Sequence, residues 1–92
     1  MDPINLRGHV HSRLRTTLSR LAQLQEEFER AEHEGSHLRK KSVRRVRETT
    51  LRQLQRLLAE LGELSLLEEL KRCSTRSKIQ RLQTYLQQQA SA

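Results

Sequence analysis

The chain of 92 residues has no tryptophan, one phenylalanine, one tyrosine, one cysteine, one proline and three glycines. Each shortage excludes something. Without aromatic mass there is no stacking platform for unpaired bases. A single cysteine, Cys73, rules out an intrachain disulfide framework and a cysteine-rich zinc module. Three valines and two isoleucines are too few for the β-branched runs of a sheet protein. No apolar stretch approaches the roughly 18 residues that cross a membrane. The opening Met1-Asp2-Pro3-Ile4-Asn5-Leu6 lacks the charged-then-apolar order of a secretory leader. A reducing, cytoplasmic setting is therefore expected, inside a host cell if the source is viral. So short and polar a chain has little room for a large private core.

What is abundant is leucine, with 17 residues, and arginine, with 14 against 4 lysines. Together with glutamine and glutamate these are good helix formers, so the composition predicts a single all-α domain. Asp2-Pro3 reads as a helix start, a cap followed by proline at the first helical position. Gly8 weakens that stretch and Ser12 offers a second start, so helix 1 is expected over about 12–34. Its apolar face is Leu14, Leu18, Leu21, Leu24, Phe28 and Ala31, at alternating steps of three and four. Gly35 suits a helix end and Ser36 the next cap, giving helix 2 over about 36–61. At 100° per residue, Val43, Val46, Thr50, Leu54, Leu57 and Leu61 fall within about 60° of one line, flanked by Leu51 and Leu58. On the opposite side, at about 160° to 220°, lie Lys41, Arg45, Arg52 and Arg56. Gly62 ends this helix. Ser65 with Glu68 reads as a capping box for helix 3 over about 65–73, and Ser77-Lys78-Ile79-Gln80 as another for helix 4 over about 77–88. No glycine or proline separates these last two, so one continuous helix is the alternative. The terminal Gln87–Ala92 stretch is expected to fray.

Two long amphipathic helices joined by a tight turn make an antiparallel helical hairpin. Leu14, Leu18, Leu21, Phe28, Val43, Val46, Leu54, Leu57 and Leu61 are its expected core and dimer residues. A two-fold homodimer closing a four-helix bundle is the expected solution. The alternative is a monomer whose third and fourth helices fold back over the hairpin.

The charge is uneven. The whole chain carries +7. Residues 26–34 hold five glutamates against Arg30, while residues 36–56 hold eight basic residues against Glu48. Near the turn these stretches lie side by side, which answers Arg39 and Lys40 with ordinary solvated ion pairs. Arg52 and Arg56 instead fall opposite Arg13, Arg15 and Arg20, with no acid nearby. Lys71, Arg72, Arg76, Lys78 and Arg81 follow, offset only by Glu68 and Glu69. Unanswered positive charge attracts polyanions, and the excess of arginine favours phosphate forks.

Other motifs fare worse. His33-Glu34-Gly35-Ser36-His37 fits H-E-x-x-H, but zinc chemistry needs both histidines on one continuous helix, and Gly-Ser breaks it. His9-Val10-His11 reads as a solvated pair and Cys73 as a small packing residue. No metal, no cofactor and no enzymatic activity is expected. Helix-turn-helix readers need shorter, steeply crossed helices, and a basic zipper needs a heptad that Gly62 and Ser65 interrupt.

The Arg-bearing run Val43-Arg44-Arg45-Val46-Arg47, then Leu51-Arg52-Gln53-Leu54-Gln55-Arg56-Leu57-Leu58, then Leu66-Leu67-Glu68-Glu69-Leu70-Lys71, resembles the nodavirus-type suppressors of RNA silencing over roughly 41–73. The resemblance implies an antiparallel dimer lying along double-stranded RNA and shielding it from dicing and loading. By position, Arg45 and Arg52 match that family's RNA-contacting basic residues. The chain departs from it in a shorter turn, an acidic tip and an added fourth helix.

Duplex RNA is read by shape, 2′-hydroxyls and phosphates rather than base edges. A rigid helix with basic residues at intervals of 4, 7 and 4 suits it without any aromatics. The expected ligand is duplex RNA, bound without sequence preference through Lys41, Arg44, Arg45, Arg52 and Arg56. The alternative is a coiled-coil adaptor or inhibitor that docks on a protein partner through its leucine stripes.

Overall fold

The computed structural model describes residues 3–91, with side chains over 7–90. They form four helices: α1 (Pro3–Glu34), α2 (His37–Glu60), α3 (Leu64–Leu70) and α4 (Thr75–Ser91). Every regular element among the described residues is helical, as the composition requires. None is long and apolar enough to cross a membrane.

The two long helices end where glycine permits it. Gly35 and Gly62 adopt φ of +73° and +75°, a left-handed conformation that costs a side-chain-bearing residue and not glycine. Around Gly35, Ser36 N–H donates to Ala31 O (3.0 Å) and Gly35 N–H to Glu32 O (3.2 Å). Around Gly62, Glu63 N–H donates to Leu58 O and Gly62 N–H to Ala59 O, both at 3.0 Å. Both are Schellman closures, which satisfy the last carbonyls of a helix.

The helix starts differ from the sequence expectation. α1 begins at Pro3 and runs through Gly8 without a break. Val10 packs against the core and His11 meets Tyr85, and these contacts hold the first turns. The expected cap at Asp2 lies outside the described residues. Ser36 occupies the cap position of α2, yet its hydroxyl makes no capping bond. In α3 the cap position belongs to Glu63, and Ser65 is already helical. α4 starts at Thr75 rather than near 77, because Ser74 is its cap: Ser77 N–H donates to Ser74 Oγ at 3.2 Å. Ser77 is thus the third helical residue, not the cap. The Lys71–Ser74 turn separates α3 from α4, and α4 continues to Ser91 instead of fraying at Gln87.

α1 and α2 pack together along their length. Arg47 reaches Gln25, Lys40 reaches Glu32 and Arg39 reaches Glu34, so α2 returns along α1. Arg76, near the start of α4, binds Glu29, while Tyr85 further along meets His11, so α4 runs opposite to α1. α3 packs on α2. At about 1.5 Å per residue α1 spans about 48 Å, which sets the longest dimension of the molecule, 49 Å.

One core joins all four helices: Leu14, Leu18 and Leu21 meet Leu54, Leu57, Leu58 and Leu61, closed by Leu66, Leu70, Ile79, Leu82, Tyr85 and Leu86. The third and fourth helices fold back over the first two, which is the arrangement the sequence offered as the alternative cover. Two expected core residues are not fully buried. Val46, at the margin of the stripe, is 37% exposed, and Phe28 is half-buried. Val43 keeps its place in the interior, and Thr50, also buried, donates its hydroxyl to Val46 O at 2.8 Å.

Candidate nucleic-acid interface

α2 presents the basic residues because its apolar residues fix its rotation. Val43, Thr50, Leu54 and Leu57 face inward, and this turns Lys41, Arg45, Arg52 and Arg56 outward. All four side chains are exposed. From Lys41 to Arg56 the row extends about 22 Å, enough to meet several successive phosphates of a duplex strand.

Ion pairing divides the basic residues into two sets. Arg7 pairs with Glu63 (4.0 Å), Arg39 with Glu34 (3.6 Å), Lys40 with Glu32 (3.2 Å), Lys71 with Glu68 (2.9 Å) and Arg81 with Glu69 (3.1 Å). Arg76 grips both carboxylate oxygens of Glu29, tying α4 to α1. Hydrogen bonds from Gln25 and then Arg76 hold the Glu29 carboxyl below its ordinary pKa. Lys41, Arg44, Arg45, Arg52 and Arg56 make no ion pair among the described residues. The pairing of Arg39 and Lys40 is what the acidic turn implied. Glu68 and Glu69, the acids expected to offset the C-terminal helices, take Lys71 and Arg81, while Arg76 finds Glu29 on α1, a partner the sequence did not suggest; Arg72 and Lys78 make no ion pair among the described residues.

Two arginines near the row have a different environment. Arg47 turns inward, with its guanidinium 4.2 Å from the Phe28 ring centre and Nη1 donating to Gln25 Oε1 at 3.0 Å. Its buried Nε has no hydrogen-bond partner among the described residues. Burial, reinforced by Arg44, pulls its pKa down. Lys40 (5.5 Å) and Arg44 (5.8 Å) share the same ring, so Phe28 carries three cations. Arg44 is therefore exposed but partly committed to Phe28. At the other end, Arg52 and Arg56 border an apolar groove between α2, α3 and α4 that the sequence did not reveal. Lys78 lies across it, one turn before Leu82; that i, i+4 spacing was the available signal.

The remaining candidates do not gather into a metal-binding group among the described residues. Glu34 ends α1 and His37 opens α2, so the H-E-x-x-H residues straddle a left-handed glycine. His9 is exposed, but His11 is half-buried against Tyr85 rather than solvated beside it. Cys73 donates its thiol to Glu69 O at 3.5 Å. Among the described residues no group of three or more His, Cys, Asp or Glu could hold a metal ion.

Comparison of the chain with protein-family models, curated proteins and solved structures finds no match.

Proposed function

We propose that this protein is a non-enzymatic binder of duplex RNA, indifferent to base sequence, acting through the outer face of α2. The observation that carries the proposal is the separation of roles among the basic residues. Arg39, Lys40, Arg76 and Arg81 are held by glutamates, whereas Lys41, Arg45, Arg52 and Arg56 form an exposed row on one helix face with no ion pair among the described residues. Such a row releases counterions when it meets phosphates, so binding is tight at low salt and weakens steeply as salt rises. Arg44 is a supporting contact.

By resemblance, coating a duplex in this way hinders the enzymes that dice it or load its strands, which would make the protein a suppressor of RNA silencing. A homodimer of antiparallel hairpins belongs to this proposal. The core closed within one chain leaves such a dimer little to bury. The exposed Val46 and Leu38, both on the turn-proximal half, are the apolar surface a second copy would cover. Sedimentation equilibrium distinguishes one copy from two.

A gel shift with a synthetic 20-base-pair RNA tests the proposal. Retardation at low salt is expected, lost in the double variant Arg45→Ala, Arg52→Ala with helicity unchanged, since both side chains are exposed. No retardation by the wild-type protein refutes it. The other reading, docking on a protein partner, draws on the groove beside Arg52.

A further inference from the structure

α2, α3 and α4 do not close completely. Between them lies an open groove of about 640 Å³, floored by Leu51, Leu54, Leu58, Leu67 and Leu82. Both banks are cationic: Arg52 and Arg56 stand on α2, Lys71 and Lys78 on α3's end and α4. One acid lines it, Glu68, and Lys71 already holds that carboxylate at 2.9 Å. Leu64, also lining the groove, is 65% exposed. Leu54, Leu58 and Leu82 are buried at the bottom, Leu51 and Leu67 are half-buried and Leu64 lies open, beside Arg52, Arg56 and Lys78, which make no ion pair among the described residues; apolar surface rimmed by charge in this way marks a place to be covered.

We infer that this groove docks one amphipathic helix of a partner protein, apolar along the face that enters and acidic on both flanks. The apolar floor asks for leucine-like side chains at i, i+3 or i+4, and i+7, the pattern of helix-in-groove recognition. The two cationic banks ask for carboxylates on either side of that stripe, because like-sign flanks repel and opposite-sign flanks steer the encounter. Duplex RNA answers the charge but has no apolar face for the floor. In a second copy of this chain the five glutamates at 26–34 lie on a helix whose Leu21 and Ala31 are already buried; the acids around its exposed Leu64 make self-docking an outcome that the test below separates. Arg52 and Arg56 serve both the groove and the RNA face, so helix and duplex exclude one another.

The probe is a fluorescein-labelled synthetic 18-residue peptide with leucines on one helical face and glutamates flanking them, read by fluorescence anisotropy against the full-length protein. Two controls share its length: one with lysine for every glutamate, one with the same composition but the leucines dispersed. The glutamate peptide is expected to bind at least ten-fold more tightly than either. Leu64→Gln weakens it, and the pair Arg52→Glu, Lys78→Glu reverses the preference toward the lysine peptide; these positions are on the rim, and circular dichroism checks that the fold survives. Lys41→Ala with Arg45→Ala, outside the groove, weakens RNA and leaves the peptide, so failure of the two proposals is separable. Equal binding of the dispersed peptide overturns the inference, since charge alone would then suffice. So does laurate binding with no peptide binding. So does a wild-type dimer that Leu64→Gln converts to monomer.

Discussion

Arg45 and Arg47 are two residues apart and have opposite fates. One projects to solvent, and the other lies on Phe28 with a buried, unpartnered Nε. An unmade buried hydrogen bond costs about 1–3 kcal/mol, and stacking on the ring recovers part of that. Arg47→Met removes the orphan donor, the repulsion from Arg44 and the stacked cation together. Its stability in urea melts is therefore expected within about 1 kcal/mol of wild type. Leu54→Ala, in the closed core, is expected to cost about 2–5 kcal/mol. Equal losses would mean that Arg47 is a structural keystone and not a residue displaced from the core. His11 adds a pH dependence. Burial first, then Arg7 and Arg15, hold its imidazole below its usual value of 6.5. Its Nε2 lies 3.4 Å from the Tyr85 hydroxyl, which in turn donates to Glu63 at 3.2 Å. The unfolded chain protonates more readily than the fold. Stability is thus complete above about pH 6.5 and declines as pH falls toward the lowered folded value. Glu29, also lowered, adds a loss of the same sign at more acid pH. Thermal melts at pH 7.5 and 5.5 should show a drop that His11→Gln reduces.

At the scale of the element, caps decide where each helix begins and ends. Gly35→Ala and Gly62→Ala place a side chain at a left-handed φ, with no neighbour within 4 Å to add a clash. Each is expected to lose about 1–2 kcal/mol from backbone strain alone. Ser74→Ala is expected to cost about 0.5–2 kcal/mol, while Ser36→Ala and Ser65→Ala, which make no capping bond, are expected to change little. Urea midpoints of the five variants check the order. The helices themselves were legible in the sequence because periodicity and glycine act locally: both Schellman glycines and the apolar faces of α1 and α2 follow from residue spacing. Starts were not, because a serine is a cap only where tertiary contacts let the chain turn. Ser77 with Gln80 had the local pattern of a cap, yet the Lys71–Ser74 turn gives that place to Ser74. Val46 and Phe28 are partly exposed although Val43 and Ala31, nearer the turn, are buried: Val46 lies at the edge of the apolar stripe, and Phe28 is occupied by Lys40, Arg44 and Arg47.

For the whole molecule the question is where a net +7 goes. The sequence separated the acidic turn from the basic row, and the structure keeps Arg39 and Lys40 in the first group. It could not show that Glu29 would be gripped from α4, because that pair joins residues distant in sequence. Nor could it show the groove, which exists only once α3 lies against α2. Among the cations these pairings leave, Lys41, Arg45, Arg52 and Arg56 form an exposed line on one helix face, and the proposed function rests on its meeting phosphates. The salt dependence of binding to a 20-base-pair RNA measures this directly. For the wild type, log affinity against log salt should fall with a slope of about −3 to −4, as expected for roughly four phosphate contacts. The slope should shrink toward zero when Lys41, Arg45, Arg52 and Arg56 are replaced by alanine. An affinity that the four replacements leave unchanged, or that salt does not move, would contradict the account.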